Sequence, residues 1–202
     1  MPLQNRVTPF GDIVAAPERG TMMGNRGILH DGHRTLGRRR WTHKAWICCV
    51  TEFRGRKRQV MAPGRYTELF FLDEAVALAA GHRPCFECRR AAAKAYSACW
   101  GGTPRAGEMD RVLHAERLDG RRRRIHIREF ADLPDGAFVS RDGAAWLVRG
   151  TMLLRYAPGG YGAATERPAG AAEVLTPPAT LRALRAGYAP LLHPSAEAPS
   201  AP

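Results

Sequence analysis

Phe71-Leu72-Asp73-Glu74-Ala75-Val76-Ala77-Leu78-Ala79-Ala80-Gly81-His82-Arg83-Pro84-Cys85-Phe86-Glu87-Cys88 is the stretch on which the reading of this chain turns. Asp73 is suited to cap a helix, and Glu74 favours the positive end of its dipole. Ala75 to Ala80 are good helix formers, and Gly81 fits the left-handed position just past the end. A longer helix is expected next, with Pro84 in its first turn and Gly101-Gly102 ending it. Cys85 and Cys88 have the Cys-x-x-Cys spacing that brings two thiolates to one tetrahedral zinc at ~2.3 Å. They sit where a turn enters a helix, a setting that lowers thiol pKa values. A thioredoxin-type pair would need a preceding βαβ unit. Here a hairpin and a short helix are expected instead.

Half a site needs partners. Cys99 lies 11 residues beyond Cys88, roughly 16 Å along a helix, too far to share an ion. That leaves the adjacent pair Cys48-Cys49. Neighbouring side chains on a strand face opposite ways, so one of the two reaches the metal. Cys49 shares the more apolar face with Ile47 and Phe53 and is preferred. The fourth ligand is Cys48 or one of His30, His33, His43, His82 and His114. Trp46 to Phe53 reads as a strand, Arg54-Gly55-Arg56-Lys57 as a hairpin turn, and Arg58 to Ala62 as the returning strand.

The segment from Phe71 to Arg89 resembles the second half of the zinc-binding domain of Ada-type DNA alkylation-response proteins: a hydrophobic start, an alanine-rich helix, then Arg-Pro-Cys-x-x-Cys and a basic residue. The match covers roughly residues 46–90. Cys85 and Cys88 take the places of that family's later zinc cysteines. The earlier pair departs, being adjacent here rather than spaced Cys-x-x-x-Cys. The resemblance implies a compact zinc module beside DNA.

Outside this region, residues 1–40 read as a loop-rich basic segment and 41–100 as the zinc module. Residues 101–130 form a basic bridge, helical over 108–118. A β-rich lobe over 131–193 is expected to contain a small meander, a Pro/Gly/Ala linker and a helix near Leu181 to Ala186. Residues 194–202 read as a disordered tail. The class is α+β: a zinc-stabilised hairpin-helix module with a small β-rich C-terminal lobe.

The formal charge of +12 is confined to the first two thirds: residues 1–130 hold 25 Lys+Arg against 13 Asp+Glu, the remainder 6 against 6. Such a surface attracts phosphate backbones. Nucleic acid, DNA before RNA, is therefore the expected partner. Arg54, Arg56, Lys57, Arg58, Arg89 and Arg90 are the leading contacts, with Arg38 to Arg40 and Arg121 to Arg124 behind them. Trp41, Trp46 and Tyr66 could stack on bases, though core packing suits Trp46 better. No stretch approaches the ~18 apolar residues of a membrane helix, and the N-terminus carries no apolar signal core, so a cytoplasmic protein with reduced thiols is expected.

The function expected is a zinc-stabilised nucleic-acid-binding protein in DNA repair or processing. One alternative is a zinc enzyme on nucleic acid. His114-Ala115-Glu116 together with Pro84-Cys85-Phe86-Glu87-Cys88 contains the parts of a zinc deaminase, in reversed order. A nuclease or glycosylase could use Glu68, Asp73, His30 or Asp31. The other alternative is a zinc-thiolate alkyl acceptor at Cys48 or Cys49.

Overall fold

The computed structural model describes residues 1–56, 59–120 and 122–197. Its architecture is mixed helix and sheet, and the short helix α1 (Glu74–Ala79) sits at the centre. Asp73 caps it by accepting from Val76 N at 3.0 Å. All six of its residues are buried, the expected state for a helix that is apolar on every side apart from Glu74, which is paired with Arg89. Ala75, Val76, Ala77 and Ala79 join one hydrophobic cluster and Leu78 the other. Alanine at three of its six positions keeps the helix narrow there, so that a sheet can approach closely. Gly81 holds φ +84°, and a Cβ there would stand 2.5 Å from Arg117 Cδ. Both the backbone conformation and the close approach require glycine.

The first sheet comprises β1 (Gln4–Val7), β2 (Ile13–Ala15), β3 (Met22–Asn25), β4 (Ile47–Val50), β5 (Leu69–Phe71) and β6 (Arg83–Pro84). Their order is β2-β1-β5-β3-β4-β6. The segment read as a loop-rich N-terminus thus supplies three of the strands. Their brevity and interspersed glycines hid them. β4 and β6 run parallel, with Ile47 opposite Arg83 and Cys48 opposite Pro84. Pro84 therefore ends a strand rather than opening a helix, and α2 (Arg90–Cys99) begins later than expected. Among the described residues of the expected returning strand, Gln59 to Ala62 carry no strand. Arg54 has φ +52°, and Lys57 and Arg58 lie outside the described residues.

Helix α3 (Ala106–Arg117) leads into a two-stranded ribbon, β7 (Leu118–Asp119) and β8 (Arg122–Arg123). The second sheet holds β9 (His126–Glu129), β10 (Phe138–Arg141), β11 (Ala144–Arg149), β12 (Met152–Ala157), β13 (Gly160–Glu166) and β14 (Ala171–Val174), ordered β13-β12-β11-β10-β14-β9. β10 to β12 are the anticipated meander. The expected Pro/Gly/Ala linker instead contains β13 and β14. Helix α4 (Pro178–Arg185) follows. Pro194–Ala196 forms a 3-10 turn with Ala196 buried, so the start of the expected disordered tail is packed. Residues 198–202 lie outside the described part.

The two sheets share one core. Leu69 and Phe71 of the first sheet cluster with Phe138, Leu147, Leu154 and Tyr161 of the second. Among the described residues no helix is long and apolar enough to cross a membrane.

Candidate metal centre

Strand β4, the end of β6 and the turn before α2 bring Cys49, Cys85 and Cys88 together, with sulfur atoms all within 4.8 Å of one another. Around a tetrahedral zinc with ~2.3 Å bonds, sulfurs stand roughly 3.8 Å apart. Sulfurs gathered within 4.8 Å are close enough to share one ion. Parallel pairing of β4 with β6, continued by Cys85 N donating to Cys48 O at 2.9 Å, sets Cys49 beside Cys85. Glu87 N points at Cys85 Sγ, 3.4 Å away. Amide donors of this kind favour the charged sulfur.

Electrostatics follow from crowding three thiols. The Cys85 thiol is lowered to about 5, chiefly by its hydrogen bond with the Cys49 thiol and helped by the amides of Cys88 and Glu87. Cys49 is pushed up, first by that same hydrogen bond and then by burial, and Cys88 is pushed up by burial. Crowding thus favours charge on Cys85 and disfavours it on Cys49 and Cys88. A divalent ion would offset the repulsion and hold all three as thiolates. The donor set therefore fits a metal ion.

Two buried ion pairs clamp this loop. Just before it, Arg83 makes two 2.8 Å bonds to Asp110 of α3. Immediately after it, Arg89 reaches both carboxylate oxygens of Glu74 at 2.6 and 2.7 Å. Glu74 also accepts from Tyr188 Oη at 2.5 Å and Leu191 N at 2.9 Å. Burial works against the Arg89 charge, but Glu74 outweighs it and the pKa rises. Arg89 was expected at a nucleic-acid surface. It is buried instead, because a central carboxylate claims it.

Cys48 faces the other way. It is fully buried, 3.7 Å from Arg89 Nη1, and lies outside the three-cysteine group. Period-two alternation sends it into the core, so it is not placed as the fourth ligand. No histidine joins the group among the described residues. His82 packs against Trp46 and Phe71, and His30 bonds Thr67. His33 and His43 are exposed on the surface. His114 lies edge-on to Trp41, and Glu116 accepts from Ala179 N at 2.8 Å. The residues of the deaminase-like motif thus serve packing and helix contacts away from the sulfurs. Asp73 is used as a cap, and Asp31 is exposed.

The sulfurs open onto a cavity of about 240 Å3, whose lining includes Asn25, Phe53, Arg56, Tyr66, Glu68 and Glu87. Glu68 is buried, with Oε2 accepting from Met61 N at 2.7 Å. Arg56 at the rim pairs with Glu87 at 3.0 Å. The carboxylate Glu68 had carried no diagnostic spacing, because it lies 19 residues after Cys49 on a separate element.

No family model, curated protein or solved structure matches this chain.

Of the other basic candidates, Arg54, Arg56 and Arg90 are exposed, as are Arg38, Arg39, Arg40, Arg122 and Arg124. Arg121 lies outside the described residues. Trp41 and Tyr66 are half-buried, and Trp46 is buried beneath Arg26 and Arg117.

Proposed function

We propose that this chain is a zinc-dependent hydrolytic enzyme whose ion is held by Cys49, Cys85 and Cys88, with Glu68 as the proton-carrying group. One observation carries the reading: three sulfurs converge, no fourth Cys, His, Asp or Glu joins them among the described residues, and their free side adjoins a cavity with a buried carboxylate. Structural zinc sites close with four protein ligands, whereas catalytic sites keep a position open. Zinc bound there supplies a Lewis acid at that open position. Glu68, oriented by the Met61 amide, would take a proton from the attacking group and return it to the leaving group. The Arg56–Glu87 pair at the rim would steer a polar substrate, and Phe53 and Tyr66 offer it apolar and aromatic contact. At about 240 Å3 the cavity is smaller than the ~300–1,000 Å3 typical of drug-sized ligands. It suits a small polar ring, such as a base presented by a nucleic acid.

A second reading keeps zinc structural and makes the chain a nucleic-acid-binding protein in DNA repair, in line with its Ada-like segment. The confinement of all +12 charges to residues 1–130 favours it, as do the exposed Arg38 to Arg40 and Arg90. Cobalt substitution separates the two. Under the enzymatic reading, Co(II)-loaded protein binds one ion per chain, and its visible spectrum shifts when azide or a small thiol is added. A spectrum indifferent to added ligands means a closed site and removes the catalytic proposal. Glu68→Gln should keep the metal and lose turnover.

A further inference from the structure

On a separate part of the molecule, three arginines from distant segments converge without carboxylate partners. Arg26 and Arg117 are each only 2 % exposed, and both guanidinium carbons lie over the Trp46 ring, at 4.0 and 3.6 Å from its centroid. Arg26 donates to His82 Nε2 at 3.3 Å and to Gly11 O at 2.9 Å. Arg117 donates to Gly81 O at 2.7 Å and Lys44 O at 2.9 Å. Arg123 of β8 reaches Phe10 O at 2.9 Å, Ala79 O at 2.8 Å and Leu175 O. Among the described residues none of the three has an acidic group within 4.0 Å, although other arginines in this protein do. Each also keeps a buried nitrogen with no partner: Arg26 Nη2, Arg117 Nε and Arg123 Nε.

These three side chains line a cavity of about 110 Å3, with Arg40 and Trp41 also contributing. Gly11 forms part of its wall at φ +88°. A Cβ there would lie 3.3 Å from Arg123 Nη1 and 3.8 Å from Arg26 Nη2, narrowing the space before the guanidinium groups. Asp12 also lines the cavity, but it is an exposed residue and attracts Arg26 and Arg123 only from a distance. Among the described residues lining the cavity, one carboxylate stands against four guanidinium groups, and Asp110, which also attracts Arg117, is held by Arg83. Burial, and then the charges of Arg117 and Arg123, disfavour the charge on Arg26. Arginine nevertheless keeps its proton in proteins. An uncompensated buried charge is costly, and the cheapest relief is an anion in the cavity.

We infer that this cavity binds a phosphate group, either as free phosphate or as the phosphate of a nucleotide whose ring stacks on Trp41. Guanidinium groups match phosphate oxygens in geometry as well as in charge, and the half-buried Trp41 indole in the lining supplies a stacking face. The proposal does not depend on the cysteine centre, and it holds whether or not that centre is catalytic.

Calorimetric titration with inorganic phosphate, at ionic strength held constant with chloride, tests it. Binding should saturate at one equivalent. Arg40→Glu changes an exposed rim residue and should weaken the affinity roughly tenfold, with an unchanged melting temperature in the absence of phosphate. Arg38→Glu makes the same charge change outside the cavity lining and should leave affinity as it was. Absence of saturable binding overturns the inference, and so does equal weakening by the two variants, which would mean diffuse surface attraction. Competition then identifies the source. Displacement at lower concentration by a nucleoside 5′-monophosphate names a mononucleotide. Displacement by a 5′-phosphorylated single strand names a polynucleotide end, and displacement by neither names free phosphate.

Discussion

Removing the Glu74 carboxylate should be among the most damaging single changes available in this fold. Glu74 is completely buried and satisfies both arms of the Arg89 guanidinium, the Tyr188 hydroxyl and the Leu191 amide. In Glu74→Ala the buried guanidinium loses its counter-charge, a change that costs ~3–5 kcal/mol. The two orphaned donors each add ~1–3 kcal/mol if they find no water. These penalties overlap, so about 5 kcal/mol is expected, a large part of the ~5–15 kcal/mol that stabilises a typical domain. For a chain of this size each kcal/mol moves the melting temperature by ~2–4 °C, so a fall of ~10–20 °C should follow. Urea denaturation should show a lower midpoint with the slope unchanged. Replacing both partners, as Glu74→Leu with Arg89→Met, removes the unpaired charge and should recover at least half of the loss. A cost below ~1.5 kcal/mol for Glu74→Ala, or strictly additive losses in the double variant, would refute the reasoning. Because Arg89 follows Cys88 directly, Glu74→Ala should also loosen the metal loop and lower zinc affinity.

Four further outcomes are expected. Cys49→Ser, Cys85→Ser and Cys88→Ser should each lose bound metal in elemental analysis, while Cys48→Ala and Cys99→Ala retain one equivalent per chain. Chelation of the wild-type protein should lower its melting temperature, since the ion ties β4 to the turn before α2. Stability should fall in acid through His82. Burial, reinforced by Arg26 and Arg117, depresses its folded pKa well below 6.5, so the unfolded chain takes up a proton that the native state refuses. That contribution is intact above pH 6.5 and is lost below it at up to about 1.4 kcal/mol per pH unit. Urea midpoints at pH 7 and pH 5 measure the loss, and His82→Gln should reduce it. Finally, replacing Arg54, Arg56, Lys57 and Arg58 by alanine should flatten the salt dependence of nucleic-acid binding, and unchanged affinity would remove that segment from the interface.

The parts of this fold legible in the sequence are those governed by local chemistry. Asp73 at the helix start and Gly81 at its end mark α1 to the residue, because a cap and a positive φ are local demands. Strand alternation marked one of the adjacent cysteines for the group, and Cys49 is the one that joins Cys85 and Cys88 while Cys48 enters the core. Arginines were misleading, because their environment is decided by partners far away in sequence. Arg89 sits in a basic run yet is buried by Glu74, 15 residues earlier. Arg26, Arg117 and Arg123 carry no local mark of burial, since carbonyl oxygens rather than acidic neighbours receive them. Strands β13 and β14 were obscured by glycine, alanine and proline, whose weak strand preference is overridden here by pairing with β12, β10 and β9.

The last partners of Asp73 and Glu74 come late in the polypeptide. Tyr188, Leu191 and His193 lie 114 to 120 residues downstream of the carboxylates they satisfy. During synthesis, at ~5–20 residues per second, the nascent chain must wait several seconds between making the central helix and supplying the last hydrogen-bond donors to its buried end. Until residue 193 has emerged from the ribosome, Arg89 and the Val76 amide hold these carboxylates without their full set of hydrogen bonds. Final consolidation of the interior is thereby deferred until these distant donors have been made.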